Sequence, residues 1–124
     1  MNYEKDVLPQ GKRDKLEIMA LIVATTQKPE ISYRILEELN SSYPLLTKYL
    51  KFMIEKSLIE KHRIAKPAKR TIQAYQATKK GNMLLKKYCA ILRLLHGEDF
   101  IKNTSDFAEA FLNARAKYAK YHVS

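Results

Sequence analysis

A chain of 124 residues can enclose one hydrophobic core without disulfide or metal staples, and its 46% hydrophobic and 29% charged content excludes a wholly disordered polymer. The single cysteine, Cys89, excludes an internal disulfide, and neither the opening residues MNYEKDVLPQGKRDK nor any later run has the apolar length of a signal-peptide core or membrane span, so a soluble, cytoplasmic protein is expected. Lysine and arginine number 23 against 13 acids, a net charge of +10 that implies an anionic partner.

Residues 1–10 carry no periodicity and run into Gly11, which reads as a loose arm. Structure is expected from Lys12, where Leu16, Met19, Ala20, Ile22 and Val23 repeat at three and four and predict an amphipathic helix ending near Gln27. A shorter helix follows, with Ser32 as its N-cap and Ile35, Leu36 and Leu39 inward, until Asn40, Ser41 and Ser42 make a turn. The third helix starts at Tyr43 or Pro44, because proline suits a first helical turn, and buries Leu46, Tyr49, Leu50, Met53 and Ile54. Its outer face keeps Thr47, Lys48 and Lys51. Two helices joined by a tight polar turn outline a helix-turn-helix, whose second helix enters the DNA major groove.

The residues after this pair sharpen the outline. Leu58–Arg63 and Thr71–Ala77 read as strands, rich in β-branched and aromatic residues, and the loop between them is basic. From Lys61 to Gly97 there are ten basic residues and no acid, so the whole charge excess lies there. Arg63, Lys66, Lys69 and Arg70 fit a wing that grips phosphates or enters the minor groove. Near the third helix, Ser42 and Tyr43 stand where a backbone amide can meet a phosphate, while Thr47, Lys48 and Lys51 face the groove. That face has no arginine, asparagine or glutamine for bidentate base contacts, which implies modest base readout.

Thr78 caps a further helix that stops at Gly97. In it Leu84, Tyr88, Ile91 and Leu95 keep a four-three-four spacing that suits a partner helix, with Leu92 beside them. A last helix after Thr104 or Ser105 aligns Phe107, Phe111, Ala114, Tyr118 and Tyr121 on one seam. These two apolar seams either pair across a homodimer or fold back on each other. Cys89 reads as a small buried hydrophobe. His62, His96 and His122 have no ligand spacing with it or with one another, so neither metal nor cofactor is expected. Without a glycine-rich phosphate loop, a nucleophile elbow or a carboxylate cluster beside histidine, no enzyme and no small-molecule ligand are indicated.

The stretch KRDKLEIMALI, the helix pair, YLKFMIEKSLIEK and YQATKKG resemble the archaeal winged-helix domains of the ArnR-like type, and the small archaeal DNA-binding proteins that dimerise through a C-terminal coiled coil. The likeness covers about residues 11–95 and rests on Tyr49-Leu50, Leu58-Ile59, and Tyr75, Ala77, Thr78, Lys80 and Gly81. It departs from the pattern at Ser57, where the relatives carry glycine, and after Gly97, where no single long helix continues. The resemblance implies a cofactor-free binder of double-stranded DNA that regulates transcription or organises chromatin. The expected fold is therefore mainly α with a small β-hairpin wing (α+β). It comprises a winged helix-turn-helix over 11–82 and C-terminal helices over 83–124 that serve dimerisation. A protein-docking module on the same scaffold is the competing reading.

Overall fold

The computed structural model describes residues 14–65, 71–102 and 105–122, of which 118–122 are described as backbone only. The expected arm, the wing residues Lys66, Lys69 and Arg70, and the side chain of Tyr118 lie outside the described residues. The first described helix, α1 (Lys15–Thr25), is set by Asp14, whose carboxylate accepts from the Glu17 amide at 2.9 Å. The short strand β1 (Glu30–Ile31) then leads into α2 (Ser32–Leu39), a turn, and α3 (Tyr43–Glu55). Strands β2 (Ile59–Ala65) and β3 (Thr71–Ala77) form a hairpin, and α4 (Lys79–His96) and α5 (Phe107–His122) complete the described elements.

The expected one-faced amphipathic first helix is corrected. Ile18, Ala20, Leu21, Ile22, Val23 and Ala24 are all buried, so α1 is apolar around most of its girth, while Leu16 is exposed. The cause is its central place: α2, α4 and α5 all pack against it, and a helix coated on several sides needs no polar face. The three-and-four repeat caught only part of that surface.

Two local assignments also change. Ser32 is the first helical residue of α2 and its cap position is Ile31, which makes no side-chain capping bond. β1 was not anticipated: Pro29 disfavours helix for Lys28, and the two residues beyond it pair antiparallel with β3, Glu30 opposite Tyr75 and Ile31 opposite Ala74. The sheet therefore has three strands in the order β1-β3-β2, with the hairpin in register from Ile59 opposite Ala77 to Ala65 opposite Thr71.

Other local signals match. Asn40 closes α2 in the left-handed conformation (φ 51°), a state its short polar side chain tolerates, and its amide donates to the Leu36 carbonyl. Ser42 caps α3, and Pro44 lies in its first turn. Thr78 caps α4 by accepting from the Gly81 amide at 3.0 Å. Ser57 holds φ 62°, the left-handed conformation that favours glycine, and so keeps the turn despite the substitution.

One continuous core runs from Ile18 through Leu39, Leu46, Met53, Ile59 and Leu85 to Phe111 and Ala114. Its C-terminal part corrects the seam expected to face a second copy. Phe111 is 1% exposed and meets Tyr88 edge to face at 6.0 Å. Leu84, Leu92 and Phe107 pack on the same core, and Arg115 of α5 pairs with Glu17 of α1 at 3.2 Å. Of the two arrangements left open by the sequence, α5 adopts the fold-back, because α1 has an apolar side that α4 alone does not cover.

Candidate nucleic-acid interface

The side chains singled out for DNA gather on α3 and the adjoining hairpin. Helix α3 buries Leu46, Leu50 and Met53 toward the core, with Tyr49 and Ile54 half-buried beside them. By helical spacing this turns Tyr43, Thr47, Lys48, Lys51, Phe52 and Glu55 outward, and each is exposed. β2 packs directly against α3, and its Arg63 is exposed.

The local chemistry fixes this surface from its N-terminal end. The Ser42 hydroxyl accepts from the Leu45 amide at 3.3 Å, which removes one of the free donors of the first turn and holds the entry of the chain. The Thr47 hydroxyl donates to the Tyr43 carbonyl at 3.0 Å, so its oxygen faces outward as an acceptor. Burial first, then the nearby Asp14 carboxylate, raises the Tyr49 hydroxyl above its ordinary value, so this residue stays neutral where α3 meets the core.

The far end of α3 is clamped to the start of α4. The Thr78 amide donates to the Leu58 carbonyl at 3.1 Å, the Thr78 hydroxyl to the Ser57 carbonyl at 2.6 Å, and Lys80 Nζ to the Lys56 carbonyl at 2.8 Å. A Cβ at Gly81 would fall on the Leu58 carbonyl oxygen, so glycine is what lets the helix approach that closely. Sequence reasoning identified Thr78 and Gly81 as a helix start and missed the clamp, since its acceptors are main-chain atoms distant in sequence.

Phe52, exposed beside Lys51 with Lys56 Nζ 5.7 Å from its ring centre, was also missed. Its place in the exposed i, i+4 row with Lys48 was the available signal. Elsewhere, Glu60 and His62 pair at 3.2 Å on one face of β2. Among the described residues no group of three histidine, cysteine or acidic side chains is placed to hold a metal ion, and no helix is long and apolar enough to cross a membrane.

Two helices joined by a tight turn, the second exposed along one face and followed by a β-hairpin on a three-stranded sheet, define a winged helix-turn-helix fold. A family model described as winged helix-turn-helix matches residues 12–96, and the chain belongs to that family. No curated protein matches the sequence. Among solved structures the chain is similar to a PadR-like transcription factor from Bacteroides fragilis, at 15% identity and TM-score 0.56, over 76% of this chain and 92% of that one. It is also similar to Sso10a-2, a DNA-binding protein from Sulfolobus solfataricus, at 16% identity and TM-score 0.55, over 90% of this chain and 99% of that one. At these identities the likeness is one of fold.

Proposed function

We propose that the chain is a cytoplasmic, non-catalytic transcription regulator of the archaeal ArnR-like type that binds double-stranded DNA as a homodimer. Helix α3 enters the major groove with Thr47, Lys48 and Lys51, Ser42 and Tyr43 meet phosphate at its N-terminal end, and the wing sets Arg63, Lys66, Lys69 and Arg70 on the flanking backbone or minor groove. The observation that carries this reading is the exposed face of α3, polar and cationic over its first half and packed against a hairpin whose strand bears Arg63. The stretch Lys61–Gly97, free of acids, extends the same positive field. Because α3 offers no arginine, asparagine or glutamine, discrimination between base sequences is modest, and the protein acts as much on DNA architecture as on a single operator.

Binding of the protein to random duplex DNA across a salt series tests this. Affinity should fall linearly on a log-log plot, with a slope of about −0.9 per neutralised phosphate. The double variant Lys48→Ala with Lys51→Ala should lower affinity on every duplex and flatten the slope by up to about 2. No binding at low salt would overturn the DNA reading and leave the scaffold to a protein partner.

A further inference from the structure

The outward face of α3 is poor in groups that can tell one base from another. Over its first three turns the exposed side chains, apart from Lys48 and Lys51, are Tyr43, Pro44, Thr47 and Phe52. The two lysines are flexible point charges that any duplex satisfies through its phosphates, so they favour no sequence strongly. Phe52 lies in the last turn of the helix with Lys56 over its ring. Recognition helices meet base edges with their N-terminal half, and there the polar side chain left over is Thr47, with exposed Pro44 three residues before it on the same side.

Thr47 enters that role with its donor already spent. Its hydroxyl gives its proton to the Tyr43 carbonyl at 3.0 Å, so a ligand finds an acceptor oxygen and a methyl group. Guanine O6 and N7, adenine N7 and thymine O4 are all acceptors and gain nothing from that oxygen. What answers it is an exocyclic amino group, and what answers the methyl is another methyl. A·T pairs supply both in the major groove, the thymine C5 methyl and the adenine N6 amino group on the same or the adjoining pair. An ordinary G·C pair has the cytosine N4 amino group and no methyl, whereas 5-methylcytosine carries both on neighbouring ring atoms. Pro44, which has no N–H to offer, widens the apolar half of this patch.

We propose that Thr47 is the specificity-determining residue of the DNA face and that it reads a pyrimidine C5 methyl, that of thymine or of 5-methylcytosine. The inference rests on the DNA binding proposed above and deepens it, naming the base feature at which the modest discrimination is aimed. The lysines set affinity and the methyl contact sets preference.

Competitive binding of the full chain to two pairs of duplexes of one length tests it. One pair is an A·T-rich duplex and the same duplex with deoxyuridine in place of thymidine, which keeps every polar atom of the groove and removes only the methyl. The other is a G·C-rich duplex with and without 5-methylcytosine. The methyl-bearing member of each pair should bind about fourfold more tightly for each methyl buried against the protein. Because no phosphate contact changes, the salt dependence should have the same slope within each pair. Thr47→Ser keeps the hydroxyl and removes the methyl, so it should bind both members of a pair alike, while Thr47→Val keeps the methyl and should retain the preference. Both substitutions fall at an exposed position, so helical circular dichroism should not move. A preference within one pair alone supports the inference and identifies which of the two bases is read. Equal affinities within both pairs would overturn it and leave DNA binding standing. A preference that survives Thr47→Ser, or is lost in Thr47→Val, would overturn the assignment to the Thr47 methyl. Failure to bind any duplex at low salt would overturn the DNA reading and this inference together.

Discussion

Cys89 shows how far burial alone decides the chemistry of a side chain. It is fully enclosed between α4 and the core, and that burial pushes its thiol up to about 11, against a small opposing pull from the Arg93 guanidinium. The thiolate is therefore the form the folded state disfavours. The stabilising contribution is complete below the ordinary thiol value near 9, and is lost as pH rises from there toward 11. Urea unfolding measured between pH 8 and 11 should show stability falling by roughly 1–2 kcal/mol more steeply than in Cys89→Ala, which lacks the titrating group. Equal slopes would remove the thiol as the cause. At this scale the sequence was readable wherever the signal is local: Ser42 and Thr78 accept from amides three residues on, as their residue types suggest. Ser32 misled because the chain enters α2 from a strand, and the residue at the cap position is fixed by that pairing rather than by a hydroxyl.

Elements are less legible than caps, because their limits depend on what covers them. The periodicity in α1 pointed to one buried face, yet Leu21 and Ala24 are enclosed as well, since neighbours distant in sequence wrap the helix. β1 is two residues long and has no pattern of its own; only its pairing with Tyr75 and Ala74 makes it a strand. The start of α4 is the most sharply determined junction. Gly81→Ala would ordinarily favour a helix by up to about 1 kcal/mol. Here the added methyl meets the Leu58 carbonyl oxygen and the Val23 side chain, so either the start of α4 or the end of the α3–β2 turn must shift. The expected result is a net loss of about 1–3 kcal/mol in chemical denaturation, with weaker DNA binding because the clamp at the end of α3 is disturbed. A variant as stable as the unchanged protein would show that this approach is not rigid.

For the molecule as a whole, the sequence divided the chain into a DNA-binding unit and a dimerising extension, whereas the core is continuous from Ile18 to Ala114. Phe111, Ala108 and Ala114 close the side of α1 that α4 leaves open. A chain truncated after Gly97 should accordingly unfold less cooperatively and bind hydrophobic dye, as checked by thermal denaturation followed at several wavelengths. Sharp, coincident melting of the shortened chain would instead mark 98–124 as a detachable extension. The last helix was not placed by its pattern because a seam of Phe107, Phe111 and Ala114 looks the same whether its partner is the same chain or another. The candidate DNA face was more legible, since exposure and charge on α3 follow from spacing alone.

The clamp at the end of α3 has a consequence for how such sequences drift. Its acceptors are the carbonyls of residues 56, 57 and 58, which every amino acid carries, whereas its donors and its close approach need the threonine, lysine and glycine of residues 78, 80 and 81. As far as these bonds decide it, variation should be tolerated at residue 56, while residue 57 is limited by its positive φ, residue 58 by burial, and residues 78, 80 and 81 by the groups they contribute. The exposed face of α3 can then acquire new residues over generations while the attachment of its far end to α4 stays the same.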